Sequence, residues 1–179
     1  MMLLATSGLF VVFLLPLYCH GAIPGMEDCT GSHGTFMDGE ITPCGGNPCV
    51  LVKGQNTSIS IKFNSNEVIK SGKIVVHGII GGIPIPFSLP DNDLCHFVKP
   101  GCTIQPNAIE QMDYELFVKE SYPSIHVTIK WELVDETGGD VICIKFPAQL
   151  SSTPPPPQRP TTLFGHIRQL FKKWFHFGA

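Results

Sequence analysis

The chain has 179 residues, of which 43% are hydrophobic and 15% are charged, and its formal net charge at pH 7 is −3. These values predict one globular domain with its own core, together with terminal appendages. Residues 22–150 hold 8 Lys and Arg against 15 Asp and Glu, a net charge of −7, whereas residues 151–179 hold 4 against none, a net charge of +4. The acidic body argues against nucleic acid as a partner.

The chain begins with an apolar segment of 21 residues that carries no charged side chain. Its apolar run from Leu9 to Leu17 ends in small residues around Gly21, which predicts a secretory signal peptide over residues 1–21, although a basic n-region is missing. A retained membrane anchor is the alternative. Pro16 and His20 argue against it, because they leave too few continuous apolar residues to span a bilayer.

The body of the chain reads as β-strands. Residues 57–63 and 125–133 alternate apolar and polar side chains with a period of two, which indicates half-buried strands. Further strand candidates are residues 36–42, 50–53, 73–80, 112–119 and 141–146. With turn residues between them, about seven strands predict an all-β fold, an immunoglobulin-like antiparallel β-sandwich of two sheets. The usual immunoglobulin order of Cys, Trp and Cys is missing.

Asn56-Thr57-Ser58 is an N-glycosylation sequon at the start of one of these strands. Asn56 has the same parity as Ser58 and Ser60, so a glycan on Asn56 would project from the solvent face.

The most unusual stretch is residues 75–89, VVHGIIGGIPIPFSL, an apolar run without Asp, Glu, Lys or Arg. Gly81-Gly82 permits a turn, and Pro84 and Pro86 lack backbone donors, so we expect a strand ending near Ile80 and an edge segment over residues 83–87. A buried hairpin in the core is the simpler interpretation. The functional one is the mouth of an apolar pocket, which makes Ile80, Ile83 and Ile85 candidate lipid contacts.

Removal of the signal peptide would take Cys19 with it and leave six cysteines, an even number that indicates disulfides in an exported protein. Six cysteines allow 15 connectivities. Spacing favours the two short turn-containing loops, Cys44 with Cys49 and Cys95 with Cys102, which leaves Cys29 to pair with Cys143. That last bridge would stabilise the fold by up to about 4.7 kcal/mol in the chain-entropy model. No Cys or His pair has the spacing of a zinc site, so we predict no metal.

Several motifs occur in a familiar order: VHG at 76–78, PIPF at 84–87, YPSI at 122–125 and KWEL at 130–133. Together with KGQ at 53–55 and the cysteine order, they resemble the ML lipid-recognition family, in particular its Niemann-Pick type C two branch. The resemblance covers roughly residues 29–150. It implies a sandwich whose sheets are splayed to hold one lipid in an internal cavity, and the same three disulfides.

The resemblance also assigns lipid-contacting positions. The aromatic contact of the family falls on Phe87, its valine and tyrosine fall on Val118 and Tyr122, and two further wall positions fall on Pro123 and Trp131. Plain core packing is the alternative for Phe87, Tyr122 and Trp131.

Two positions depart from the family pattern: Gly81, where a bulkier residue is usual, and Ile144, where an aromatic is usual. Because these changes alter the mouth and the pocket, the resemblance does not choose between a sterol, a fatty acid and an odorant as the ligand. Odorants are associated with the arthropod members of the family, and this chain is a candidate arthropod member.

The chain has no GxSxG, HExxH or phosphate-binding loop motif, and its His and Asp residues form no recognisable acid–base pair. We therefore predict that it is not an enzyme and needs no cofactor. The resemblance implies a monomeric, secreted or lysosomal carrier that moves a sterol or similar hydrophobic ligand between membranes, with a membrane sterol-transport receptor as a partner. The alternative is a secreted innate-immune protein that recognises microbial lipids in the same pocket.

The composition changes after residue 150. Residues 151–161 form a Pro-rich linker, which should keep the following segment away from the domain. Residues 162–179 have the pattern of a basic amphipathic helix, which favours contact with a membrane interface. The candidate membrane contacts are Leu163, Phe164, Ile167, Phe171, Lys172, Lys173 and Trp174. The alternative is that the apolar face of this helix folds back onto the sandwich.

Overall fold

The structure is a computed structural model that describes residues 23–44 and 46–155. The predicted signal peptide, most of the Pro-rich linker and the predicted C-terminal helix lie outside these residues. Within them, no helix is long and apolar enough to cross a membrane.

The described residues form ten strands and one short helix. In chain order these are β1 (Glu27–Asp28), β2 (Gly34–Thr42), β3 (Cys49–Val52), β4 (Asn56–Ser65), β5 (Gly72–Ile80), β6 (Ile83–Phe87), α1 (Leu94–Phe97), β7 (Val98–Lys99), β8 (Ile109–Phe117), β9 (His126–Asp135) and β10 (Asp140–Ser151). The large sheet has the order β1-β10-β9-β5-β6, with β3 also paired to β10, and the small sheet has the order β2-β4-β8-β7.

The predicted two-sheet β-sandwich is confirmed, with three differences in detail. Strands β1 and β7 are additional, and each has only two residues, too few to show a period. The helix α1 is a single turn that was not expected, with Asp93 as its N-cap. Finally, β3 pairs with β10 in parallel, whereas the other pairings are antiparallel.

The core lies where the inward faces of the two sheets meet. On β4, the inward side chains of Ile59, Ile61 and Phe63 are at most 5% exposed, while Ser58 and Lys62 on the opposite face are exposed. Burial of such side chains is the main stabilising contribution to a sandwich of this kind.

Three disulfides join Cys29 to Cys143, Cys44 to Cys49 and Cys95 to Cys102, the pairing that the spacing predicts. The first of them attaches the N-terminal segment to β10, where the backbone N–H of Cys29 also donates to the carbonyl oxygen of Cys143 at 2.8 Å.

The apolar stretch around Gly81 forms the β5–β6 hairpin at one edge of the large sheet. Gly81 (φ 57°) and Gly82 (φ 84°) form its two-residue turn, and both angles lie in the left-handed region that favours glycine. Because β6 is the edge strand, the missing N–H groups of Pro84 and Pro86 do not interrupt a central ladder.

Candidate lipid cavity between the sheets

A cavity of about 260 Å³ lies between the two sheets, at the end of the sandwich where β5 ends and β9 begins. Both sheets contribute to its walls, which are almost entirely apolar. The lining residues are Ile41, Leu51, Thr57, Ile59, Val76, His77, Gly78, Ile80, Ile85, Pro86, Phe87, Leu116, Val118, Tyr122, Pro123, Ile125, Val127, Ile129, Trp131, Phe146 and Leu150. This lining includes no carboxylate, lysine, arginine or cysteine.

The strand β9 shows how the sequence builds both the cavity and the packed core. Val127, Ile129, Trp131 and Leu133 alternate along it and face the inside of the sandwich. The first three line the cavity, whereas Leu133 is fully buried in the core and does not. The cavity therefore occupies one half of the sandwich interior, and tight packing fills the other half.

Phe87 and Tyr122 form an aromatic pair in the cavity wall. Their rings meet edge to face, with centroids 5.6 Å apart and an interplanar angle of 72°, a favourable arrangement for aromatic pairs. The backbone around Tyr122 is held by Lys53, whose Nζ donates to the carbonyl oxygen of Tyr122 at 3.1 Å. Burial raises the pKa of the Tyr122 hydroxyl above its usual value, so this wall stays uncharged.

Trp131 lines the cavity and packs against Tyr114, a core residue that lies outside the lining. Their rings also meet edge to face, with centroids 5.5 Å apart, and Phe97 packs on the other side of Tyr114 at 4.4 Å. The Tyr114 hydroxyl donates to the carbonyl oxygen of Asp91 at 2.8 Å. These contacts hold the Trp131 ring in place as a rigid surface.

The mouth opens beside the β5–β6 hairpin. Ile80 and Ile85 line the cavity and are also 40% and 48% exposed, so the apolar wall continues to the protein surface there. Exposed apolar side chains grouped around a pocket are typical of a ligand entrance or a contact surface.

Seven of the eight side chains predicted as lipid contacts line this cavity: Phe87, Val118, Tyr122, Pro123, Trp131, Ile80 and Ile85. Ile83 does not line it. It has the same parity as Ile85 and Phe87, but it lies next to the hairpin turn and is 66% exposed.

The wall residues of the small sheet, among them Ile41, Ile59 and Leu116, were not predicted from the sequence as lipid contacts. Period-two alternation marks Ile59 as inward-facing, but the same pattern also marks Ile61 and Phe63, which are core residues. The alternation gives the face of a residue and not its height along the sandwich.

The predicted glycosylation site, Asn56, is exposed at the start of β4, and its Nδ2 donates to Oε1 of Glu115 at 2.7 Å. Its neighbour Thr57 points inward and lines the cavity, as their opposite parity requires.

Two packed sheets with an apolar cavity between them define a class of protein domain that can enclose a hydrophobic ligand. The ML domain family matches residues 26–150, and the chain belongs to this family. The cavity then lies wholly within the matched region.

Two sequence relatives and one solved structure illustrate the likeness. The chain is 40% identical over 125 residues to NPC intracellular cholesterol transporter 2 of Danio rerio, covering 69% of this chain and 82% of that protein. It is 34% identical over 126 residues to NPC intracellular cholesterol transporter 2 homolog a of Drosophila melanogaster, covering 69% of this chain and 85% of the relative. The crystal structure of a Niemann-Pick type C2 protein from Japanese carpenter ant superposes with a TM-score of 0.66 at 25% identity, covering 70% of this chain and 98% of that one.

Proposed function

We propose that this protein is a carrier that takes up a sterol or a similar hydrophobic ligand in the cavity between its sheets and moves it between membranes. The observation that carries the proposal is the enclosed, almost wholly apolar cavity whose wall includes Phe87, Val118 and Tyr122. The transporter names of the vertebrate and Drosophila relatives support the same ligand class.

The physical basis is burial of apolar surface. A rigid hydrocarbon gains about 25 cal/mol for each Å² that is removed from water, and aromatic walls such as Phe87 and Tyr122 offer large contact areas. The cavity volume of about 260 Å³ lies just below the usual range for drug-sized ligands, about 300–1,000 Å³. A sterol-sized ligand would therefore enter with some outward movement of the walls at the mouth.

The test measures binding of a fluorescent sterol and a fluorescent fatty acid to the full chain and to Phe87→Ala and Tyr122→Ala. Loss of a ring that contacts the ligand removes about 1.5–3 kcal/mol of burial, which corresponds to roughly a tenfold or larger loss of affinity. Phe36→Ala is the matched control, because Phe36 packs against the core but lies outside the lining. Unchanged affinity in both wall variants would overturn the proposed binding site.

The ligand class is tested by extracting the purified protein and identifying the bound lipid by mass spectrometry. A host sterol or fatty acid supports the carrier function. A microbial lipid would instead favour the innate-immune alternative.

The proposal includes secretion or lysosomal delivery, supported by the apolar N-terminal segment, the three disulfides and the exposed sequon at Asn56. Immunodetection in the culture medium and in lysosomes of expressing cells, with Asn56→Gln to detect the glycan as a mass shift, tests it. Retention of the protein in the cytosol would contradict this part.

The proposal also gives a role to residues 162–179 in docking the carrier on anionic membranes. The supporting observation is where the described chain leaves the sandwich: Leu150 lines the cavity, its N–H donates to the carbonyl oxygen of Ile125 at 2.9 Å, and β10 ends at Ser151. β10 thus ends at the mouth end, where the exposed side chain of Ile83 is available for contact with a membrane or with a sterol-transport receptor.

Liposome binding tests this role with the full chain, a truncation after Pro155 and the charge reversal Lys172→Glu/Lys173→Glu. The truncation keeps Ser151, whose carbonyl oxygen accepts from the backbone N–H of Lys53 at 2.8 Å. We expect salt-sensitive binding of the full chain to anionic vesicles and weaker binding of both variants. Equal binding of all three forms would favour fold-back of the segment onto the sandwich.

A further inference from the structure

A cluster of two carboxylates and one imidazole lies at the end of the sandwich opposite the cavity mouth. His33 precedes β2, Glu67 follows β4, and Asp135 is the last residue of β9. The imidazole Nδ1 of His33 is paired with Oε1 of Glu67 and lies 3.2 Å from Oδ2 of Asp135. The three ligand-type atoms all lie within 4.8 Å of one another.

The carboxylate of Asp135 is held by the turn that follows it. Its Oδ1 accepts hydrogen bonds from the backbone N–H and the hydroxyl of Thr137, both at 2.7 Å, and from the backbone N–H of Gly139 at 3.0 Å. Its Oδ2 is buried and has no hydrogen-bond partner, and the residue as a whole is only 7% exposed. The turn therefore fixes one oxygen and directs the other toward His33.

The ring of His33 is also fixed in place. A Cβ atom at Gly139 would lie 2.5 Å from Cε1 and 2.6 Å from Nδ1 of His33, so the ring packs directly against the glycine backbone. A ligand atom that is oriented by its surroundings in this way is typical of metal sites, where neighbouring groups hold the ligands in position.

The hydrogen bonds of this cluster do not satisfy all of its buried carboxylate oxygens. Nδ1 can donate a single N–H, and its hydrogen bond goes to Glu67, which leaves Oδ2 of the buried Asp135 without a donor. A buried carboxylate oxygen without a partner is costly. A cation between the three atoms would accept a lone pair from each of them, and its two positive charges would balance the two carboxylates.

We propose that His33 Nδ1, Glu67 Oε1 and Asp135 Oδ2 form a binding site for a divalent transition-metal ion, with Zn²⁺ as the best-matched ion. Imidazole nitrogen together with carboxylate oxygen suits zinc, which commonly takes three protein ligands and a water molecule. The fourth position is accessible here, because the side chains of His33 and Glu67 are 36% and 43% exposed.

Such a site would stabilise the fold rather than contact the bound lipid. His33 and Glu67 flank strands of the small sheet, and Asp135 ends a strand of the large sheet. A bound ion would therefore join the two sheets at the end opposite the cavity mouth, which we call the closed end. The cavity lies at the other end, and none of the three residues lines it. The metal would therefore raise the stability of the sandwich without blocking lipid entry.

The experiment uses the full chain after treatment with a chelator and its removal. Isothermal titration with ZnCl₂ counts the bound ions, and thermal unfolding with and without Zn²⁺ reports the effect on stability. Asp135→Asn and His33→Ala each remove one ligand, and Asp135→Asn leaves an oxygen that can still accept from Thr137 and Gly139. His96→Ala is the matched control, because His96 also faces two carboxylates, those of Asp91 and Asp93, but on the exposed surface.

We expect one equivalent of Zn²⁺ to bind and to raise the unfolding temperature. Both ligand variants should lose that equivalent or bind it at least about tenfold more weakly, because each has lost one of the three ligands. The control variant should behave like the unchanged protein. The proposal would be overturned if the unchanged protein bound no Zn²⁺, or if His33→Ala and Asp135→Asn bound it as tightly as the unchanged protein. Lipid affinity measured in parallel keeps this outcome separate from that of the carrier function.

Discussion

Two turns of the large sheet lie at opposite ends of the sandwich and differ in almost every contact. The β5–β6 turn at the mouth consists of Gly81 and Gly82, and nothing lies within 4 Å of where a Cβ atom of either residue would be. The β9–β10 turn is organised by the carboxylate of Asp135, which accepts three hydrogen bonds from Thr137 and Gly139. Nothing packs against the side-chain positions of the first turn, whereas movement of the second would break buried polar contacts.

This difference is suited to a protein that must admit a ligand without unfolding. Regions with few buried contacts open at low free energy, while densely bonded regions open only with the whole fold. The two ends of the sandwich thus separate two tasks, since the mouth end forms the cavity and the closed end supplies the stability.

The largest loss of stability is expected on removal of the Cys29–Cys143 disulfide, which links the two ends of the domain. Replacement of Cys29 and Cys143 by serine releases a link with a sequence separation of 114, and the stability to urea should fall by about 2–5 kcal/mol. The matched pair Cys44→Ser/Cys49→Ser releases a separation of only 5, so its loss should be smaller. Equal losses in the two pairs would contradict the expected dependence on loop length. Sterol binding by the folded fraction of the Cys29→Ser/Cys143→Ser variant should not change.

Two inward-facing residues of β9 compare the core and the cavity directly. Leu133→Ala creates a void in packed core and should lower the free energy of unfolding by about 2–5 kcal/mol. Ile129→Ala removes a side chain that already faces open space, so its effect on stability should be near 1 kcal/mol. Ligand affinity should show the reverse order, and chemical denaturation together with sterol titration measures both. Similar stability losses would mean that the cavity wall is packed as tightly as the core.

The two turns can be compared by alanine substitution of one glycine in each. At Gly139 a methyl group would lie 2.5 Å from His33 and 2.8 Å from Oδ2 of Asp135, so Gly139→Ala should be destabilising by about 1–3 kcal/mol. At Gly82 there is open space but a φ of 84°, and Gly82→Ala should be destabilising by about 1–2 kcal/mol through backbone strain alone. Thermal unfolding measures both variants. A larger loss at Gly82 than at Gly139 would contradict the description of the mouth turn as free of contacts.

The smallest effect concerns a buried acid in the closed half. Glu110 faces the interior from β8, its Oε2 has no partner, and burial raises the pKa of its carboxyl above the usual 4.5. Above the pKa of the unfolded chain, folding must bury a charge, so Glu110→Gln should stabilise the protein by about 1 kcal/mol at pH 7. Below pH 4.5 the Glu110 carboxyl of the unchanged protein is mainly protonated in both the folded and the unfolded state, and the gain should vanish. A gain that is equal at pH 4 and pH 7 would show that charge is not its cause.

Much of this molecule can be predicted from local pattern. Period-two alternation identified β4 and β9, because a half-buried strand exposes alternate residues to water. The Gly-Gly and Pro residues of the apolar stretch gave the hairpin and its edge position, since proline cannot donate to a central ladder. The two short cysteine loops gave the disulfide pairing by spacing.

Other features depend on contacts between distant segments. Resemblance to the ML family supplied Phe87, Val118 and Tyr122 as candidate contacts, and local pattern could not have done so, because an apolar residue on a strand has the same appearance in a core and in a cavity wall. The cluster at His33, Glu67 and Asp135 escaped prediction for a related reason: no motif has this spacing, and the residues meet only when three separate strand ends come together.

The longer strands, the faces of their residues, the hairpin and the two short disulfide loops follow from the sequence alone, because each depends on neighbours along the chain. The tertiary structure was needed to see that Ile129 faces a cavity while Leu133 is packed, that Ile83 lies outside the lining, and that a buried carboxylate oxygen of Asp135 points at His33. The physical reason is that alternation along a strand fixes direction, whereas the distance between two sheets at a given height is set by all the side chains that meet there.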